Sequence, residues 1–225
     1  MKKLCAAVLA IVCMSGAVSA LDLSVGGIFD YTLVHNFGTG RAELKFKTDW
    51  VPSTEKLRLD KKHTSNMLGV KGFFDAQYAM AQFGCNFAVG ETYYENMYSN
   101  KKNIFIHRYE KENEAVYLNF GVFGKYPFTA KSAKIYPLIG VDFDFAVFAK
   151  GKYDKDKERE LSADERKELN AYWFDVGAGA DIYLIKKFFI RPQLLFGIMM
   201  NQKNIYRLPH HGIKFNAEIG AGWKL

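Results

Sequence analysis

Charged and amide side chains recur at alternate positions inside otherwise apolar segments of this 225-residue chain: Asp30, Lys71, Gln82, Asn86, Asn119, Asp142, Asp144, Asp175, Asp181, Arg191, Gln193, Lys214, Asn216 and Glu218. Carboxylates set among Lys and Arg can form ion pairs and charge-assisted hydrogen bonds. Because Asp30, Asp142, Asp144, Asp175, Asp181 and Glu218 outnumber Lys71, Arg191 and Lys214, any passage they line would prefer cations. Nucleophilic catalysis would instead need a hydroxyl or thiol beside a base. After residue 20 the serines are Ser24, Ser53, Ser65, Ser99, Ser132 and Ser162, and only Ser65 lies close in sequence to a histidine, His63. His35, His63, His107, His210 and His211 all fall in or beside polar stretches, so they read as loop residues rather than metal or haem ligands. No catalytic residue, metal site or cofactor is expected.

The segments carrying these groups have the period of two that belongs to β-strands, whose side chains leave on opposite faces in turn. The last fourteen residues are the clearest case. Ile213, Phe215, Ala217, Ile219, Ala221, Trp223 and Leu225 alternate with Gly212, Lys214, Asn216, Glu218, Gly220, Gly222 and Lys224. Similar alternation predicts seven further strands, over residues 23–34, 68–74, 79–90, 115–126, 135–147, 172–184 and 188–200. The first places Ile28 and Val34 among its polar set. Between strands two and three a tight turn is expected at Asp75-Ala76-Gln77, and between strands six and seven at Lys186-Lys187. Residues 35–66, 91–114, 150–170 and 202–211 read as long polar connections, although in the first Ala42, Leu44, Phe46, Thr48 and Trp50 alternate with charged residues, a pattern that could extend a hairpin past the membrane. The third carries seven basic and seven acidic residues, a solvated pattern, and its Ser162-Ala163-Asp164-Glu165 resembles a capping box opening a short helix.

Lys2 and Lys3, the apolar run Leu4–Val12 and the small residues ending at Val18-Ser19-Ala20 form the pattern of a cleaved export leader, leaving residues 21–225 as one domain. Loss of the two lysines lowers the formal charge from +7 to +5. The basic residues are interspersed with acids rather than gathered on one face, which argues against nucleic-acid binding. Cys85 is the one cysteine outside the leader, so no intramolecular disulfide can form there, and it falls in the apolar set of strand three. No uninterrupted apolar run beyond the leader approaches the roughly 20 residues of a spanning helix, so membrane crossing would need strands.

The set opposite the apolar one decides between two barrels. A soluble barrel would turn its apolar set inward, whereas here the polar set is too charged to face anything but a shared interior, where ions can pair. Eight strands with connections alternating long and short predict an all-β, eight-stranded antiparallel up-and-down transmembrane β-barrel with four long outer loops and three short periplasmic turns. On this pattern the chain resembles the eight-stranded outer-membrane barrel superfamily, which includes the OmpA transmembrane domain, OmpX and OmpW. The resemblance implies outer-membrane lipid around the barrel, in a Gram-negative-type (diderm) bacterium, and a last strand read by the barrel-assembly machinery. In the last strand, with Phe215 on the same face, Ile219, Ala221 and Trp223 fit that assembly signal, and the final Leu225 stands where the family has an aromatic residue.

An eight-stranded interior is just wide enough to be filled by side chains. The lumen is therefore expected to be a polar network of Asp30, Lys71, Asn119, Asp142, Asp144, Asp175, Asp181, Arg191, Gln193, Lys214 and Glu218 that plugs the barrel. Of the apolar residues that could line a path for hydrophobic solutes, Ile28, Val34, Phe73, Leu138, Phe148 and Leu195 offer a modest set. The expected function is adhesion or environmental contact through loops rich in Tyr and Asn, such as Tyr93, Tyr94, Asn96, Tyr98 and Asn100, with an extracellular or host ligand as partner. The alternatives are a narrow cation-preferring pore, an OmpW-like transporter of small hydrophobic solutes and, less favoured, a lipid-modifying enzyme.

Overall fold

The computed structural model describes residues 22–47, 52–99, 105–153, 159–201, 204–205, 208–209 and 211–225. The leader expected over residues 1–20, and His210 and Asn100, lie outside them. Eight long strands carry the fold: β1 (Leu23–Lys47), β2 (Pro52–Ala76), β3 (Ala79–Ser99), β4 (Phe105–Lys125), β5 (Ala133–Tyr153), β6 (Ala171–Tyr183), β7 (Phe188–Met199) and β8 (His211–Lys224). Each pairs antiparallel with its sequence neighbours, and β8 returns to β1 through an unbroken register from Ser24↔Lys224 to Phe37↔His211. The ring is closed, so within the ring no strand offers an unpaired edge to lipid, the one strand arrangement a bilayer tolerates.

Side-chain parity sorts the two faces. Phe29, Leu68, Phe83, Ile139, Leu194 and Ile219 are exposed on the outer wall, while Asp30, Lys71, Asp142, Arg191 and Glu218 are buried inside. Phe215, Ile219, Trp223 and Leu225 are all on the outside. The apolar band and the polar lumen make this a membrane barrel, with its soluble counterpart's burial inverted.

At the base the connections are tight. Gln77 and Tyr78 alone join β2 to β3, with Gln77 held at a φ of 55°, a conformation that favours glycine. The turn thus starts two residues later than the Asp75-Ala76-Gln77 reading, because Asp75 continues the inward parity of Lys71 and Phe73 and is buried. Between β4 and β5 a three-residue strand, Phe128–Ala130, folds back on Ala133–Ile135. Backbone bonds from Leu225 N to Leu23 O (2.9 Å) and from Lys224 N to Lys187 O (2.8 Å) tie the last strand into this rim.

The outer ends depart most from expectation. Residues 35–66 and 91–114 are not loops but continued hairpin arms: the β1–β2 ladder persists to Lys47↔Pro52, β2–β3 to Leu57↔Ser99 and β3–β4 to Tyr98↔Phe105. The alternation of Ala42, Leu44 and Phe46 with charged residues satisfies the strand period even though those residues lie past the apolar band. The fourth connection holds a two-stranded pairing of Asn204–Ile205 with Leu208–Pro209. Irregular pairing around Val147, where Val116↔Phe148 is followed by Tyr117↔Ala146, shifts β5 by one residue. Ala149 and Gly151 are buried beyond it, so Phe148 falls out of the inward phase and does not line the lumen.

Cys85 pairs with Val70 and Leu118 and shares the outward parity of Phe83 and Phe87. A water-soluble maleimide should therefore leave Cys85 unmodified in the membrane-inserted protein and label it after denaturation; labelling at equal rates in both states would place the thiol in water.

Candidate functional site

The lumen is a stack of side chains rather than a pore. Nearest the base, Arg191 donates from Nε to Asp181 Oδ1 (2.6 Å), from Nη2 to Asp181 Oδ2 (2.9 Å) and from Nη2 to Asp75 Oδ2 (2.5 Å). Lys125 donates to the same Asp75 oxygen and lies 3.8 Å from Asp181. Two cations and two carboxylates thus balance, with Tyr136 donating to Asp181 Oδ1 at 2.9 Å. The guanidinium is held between aromatic rings, 4.2 Å from the centre of Phe73 and 4.9 Å from that of Phe189, and Asp75, Asp181, Lys125 and Tyr136 around it are buried.

One level up, Lys71 Nζ bridges Glu218 Oε1 (3.1 Å) and Asp30 Oδ2 (3.3 Å), and Thr32 donates to Asp30 Oδ2 at 2.8 Å. Gln82 Nε2 reaches both Gln193 Oε1 and Glu218 Oε2 at 3.2 Å. Above this, Lys214 Nζ joins Asp142 Oδ2 (2.5 Å) to Asp175 Oδ2 (3.2 Å). Asn119 Nδ2 spans Asp142 (2.7 Å) and Asp144 (2.9 Å), and Trp173 Nε1 donates to Asp144 Oδ2 at 2.8 Å. Small residues make room for these chains: a Cβ on Gly197 would sit 2.2 Å from Asp175 Oδ1, and one on Gly69 would sit 1.7 Å from Asp30 Oδ1.

Every residue of the expected lumen network, Asp30, Lys71, Asn119, Asp142, Asp144, Asp175, Asp181, Arg191, Gln193, Lys214 and Glu218, is buried inside the ring. Sequence reading missed two members. Asp75 reads as a turn residue and Lys125 is absent from the expected network; the shared parity of Lys71, Phe73 and Asp75 is the available signal. With them the lumen holds, among the described residues, seven buried carboxylates and four buried cations. The excess is concentrated in the upper levels, where Asp30 Oδ1, Asn119 Oδ1 and Asp175 Oδ1 also accept no hydrogen bond from the protein. The interior field there is negative.

Apolar layers cross the stack at two heights, a larger contribution than the sequence suggested. Ile28, Phe73, Met80, Phe123, Tyr136, Leu138, Phe189 and Leu195 cluster around the arginine level, and Val34, Met67, Ala115, Tyr117, Ala149, Leu161, Ala171 and Trp173 form an outer cap. Leu161 comes from the third connection: its N–H donates to Ala149 O (2.9 Å), and its side chain is 2% exposed. The segment is held there by Arg159–Glu160, which pairs with Lys150–Gly151, and by α1 (Ala163–Leu169). The capping box at the start of α1 forms: Glu165 N donates to Ser162 Oγ (3.4 Å), and Ser162 N to Glu165 Oε2 (2.9 Å). Arg159 clasps Glu165 through Nη1 (3.0 Å) and Nη2 (2.5 Å).

The Arg159 guanidinium, seconded by the Ser162 amide, holds the Glu165 carboxyl down to about 2 from its ordinary 4.5. On the basal rim, burial pushes Asp22 up, but ion pairs with Lys134 and Lys224 outweigh it and keep the carboxyl below its usual range. Among the described residues no three His, Cys, Asp or Glu side chains converge as a metal cluster would. His35 Nδ1 lies 3.0 Å from Thr64 Oγ1, and the rings of Phe37 and His211 lie 6.1 Å apart, so these two histidines flank the outer end of the β1–β8 seam.

No family model and no curated protein matches the chain. Solved structures align with it at low identity. They include the outer membrane protein OprG from Pseudomonas aeruginosa (10% identity, 89% of this chain and 96% of that one, TM-score 0.30). Ail, the attachment invasion locus protein of Yersinia pestis, aligns at 9% identity over 91% of this chain and all of its own (TM-score 0.38). The outer membrane protease OmpT from Escherichia coli aligns at 8% identity over 94% and 100% (TM-score 0.48). The chain's own sheet defines its class: a closed ring of eight antiparallel strands, apolar outside and polar within, is the eight-stranded outer-membrane barrel architecture.

Two outcomes are expected. Arg191→Met should cost about 3–5 kcal/mol in urea unfolding because it leaves Lys125 alone to balance Asp75 and Asp181, and adding Asp181→Asn, which restores one cation to one carboxylate, should recover part of the loss. Because Glu165 is depressed, its contribution to the outer segment is complete above its ordinary 4.5 and is lost as pH falls through about 2. The Glu165 carboxyl resonance should accordingly titrate near 2, and Arg159→Ala should move it upward.

Proposed function

We propose that the chain is an integral outer-membrane protein, exported behind a cleaved leader and inserted by the barrel-assembly machinery, that performs no chemistry and uses its outer hairpins for adhesion or environmental contact. The observation that carries this reading is the height of one wall. The β1–β2 ladder spans 25 residues in each strand, roughly 60 Å at 3.3 Å per residue and a tilt of about 40°, against an apolar band of about 25 Å. β6, with 13 residues, ends near the outer membrane surface. The arms of β1 to β4 therefore stand in the surrounding medium as a continuous sheet. Their exposure to an extracellular or host ligand follows from length alone, whereas the ligand's identity does not.

The filled lumen supports contact over conduction. Charge excess inside would favour cations in any residual leak, but the arginine level and the cap that includes Leu161 occupy the path. For the same reason a route for small hydrophobic solutes through the lumen is disfavoured, although the barrel interior is more apolar than its sequence suggests. A lipid-modifying enzyme is less supported, since Ser65 and the histidine nearest it in sequence, His63, lie on the same strand, β2.

Replacing the arms beyond Phe37 and Thr64 in β1–β2, and beyond Val89 and Glu114 in β3–β4, with short turns should reduce attachment of expressing cells to that of cells lacking the protein. Heat-modifiable gel migration should persist, showing an intact barrel; unchanged attachment would sink the reading. In planar bilayers the full chain should give no stepwise conductance, and a large anion-selective current would contradict the plug.

A further inference from the structure

The outer wall carries one feature that neither the lumen nor the tall arms use. On β6, β7 and β8 the outward side chains Ala178, Ala180 and Ala217 are small, and together with Pro192, Leu194 and Ile219 they line a groove of about 520 Å³. That volume lies within the range of specific ligand pockets, and its walls are apolar. Pro192 accounts for part of its shape. Proline has no N–H to give the ladder, and the β6–β7 register accordingly lapses between Gly179↔Gln193 and Ile182↔Ile190. Ala180 lies in the lapse, so the wall is indented where its backbone pairing is interrupted.

The same three strands end in a basic rim. Lys186 and Lys187 form the exposed turn between β6 and β7, and Lys224 of β8 is joined to this turn by its N–H to Lys187 O at 2.8 Å. Asp22, on the same rim, is already shared by Lys134 and Lys224, whereas Lys186 and Lys187 make no ion pair among the described residues. Phe188 and Trp223 pack at this height with ring centres 6.4 Å apart, the level at which aromatic residues mark the lipid headgroups. From Tyr183 up to Ala180, and from Phe188 up to Pro192, is three to four residues, roughly 10–13 Å of strand. A headgroup at the turn would therefore lead its chain directly into the groove.

We infer that this face binds an anionic phospholipid of the periplasmic leaflet, with its phosphate at Lys186 and Lys187 and one acyl chain laid along Ala178, Ala180, Pro192 and Ala217. The charge of the rim selects the anionic headgroup, and the indented wall selects a chain held in place rather than one sliding past. The inference rests on the membrane placement proposed above.

The test uses the full refolded chain in mixed micelles, with palmitoyl-oleoyl phosphatidylglycerol and the matching phosphatidylcholine as probes and native mass spectrometry as the readout. The wild type should retain phosphatidylglycerol in preference. At about 1 kcal/mol per lysine near a lipid surface, Lys186→Gln with Lys187→Gln should lower that preference roughly 30-fold. Ala180→Leu with Ala217→Leu should abolish retention of both lipids by filling the groove. Equal retention of the two lipids by the wild type, or unchanged retention in both double variants, overturns the inference. Heat-modifiable migration is recorded for each protein in lipid vesicles: a wild type that fails to insert defeats the membrane placement and the inference together, whereas insertion without lipid preference defeats the inference alone.

Discussion

A carboxylate enclosed by a strand wall, with lipid behind it, must find its counter-charge inside the barrel, on the neighbouring strand or across the lumen. Arg191 meets this constraint for Asp181, ten residues before it in sequence, and for Asp75, more than a hundred residues away on β2. The contact therefore fixes the rotation of β2 against β6 and β7. Lys71 with Glu218, and Lys214 with Asp142, do the same for other pairs of walls. The barrel ladder sets which strands are neighbours, and these cross-lumen pairs set which walls face each other. Buried pairs of this kind are weak evidence for added stability but strong determinants of a single arrangement, because any other pairing leaves charges uncompensated.

The fold was readable because its two solvents leave complementary marks. Alternation of Phe215, Ile219 and Trp223 with Lys214, Asn216 and Glu218 is incompatible with a helix, and the charge of the second set is incompatible with a soluble barrel. The parity rule also placed the lumen residues on one face. It could not report which acid meets which base, since that depends on barrel rotation and side-chain reach. It also fails wherever the phase slips: the irregularity at Val147 exchanges Phe148 for Ala149, and nothing in the local composition announces it.

Two errors share a cause. Asp75 reads as a turn residue, and residues 35–66 as a loop despite the alternation within them, when polar composition is equated with irregular backbone. A strand beyond the apolar band has water on both sides, so it keeps the period while losing the hydrophobic contrast, as Ala42, Leu44 and Phe46 among Arg, Glu and Lys illustrate. The opposite holds for Leu161. A leucine in a stretch of evenly mixed charges carries little weight in a sequence, yet Leu161 is buried in the cap and Leu169 packs against it. Capping chemistry fared better, because Ser162 and Glu165 act within four residues and need no tertiary context.

The unequal height of the walls constrains how such a protein can vary. In a slack loop, residues can be gained or lost singly at little energetic cost. In the arms of β1 and β2 a single added residue in one strand would turn every side chain beyond it to the opposite face, or force a bulge. Length can change smoothly only in matched steps on both arms, two residues at a time if the faces are to be kept. The height of these arms is thus set by strand pairing on both sides at once and cannot be adjusted residue by residue.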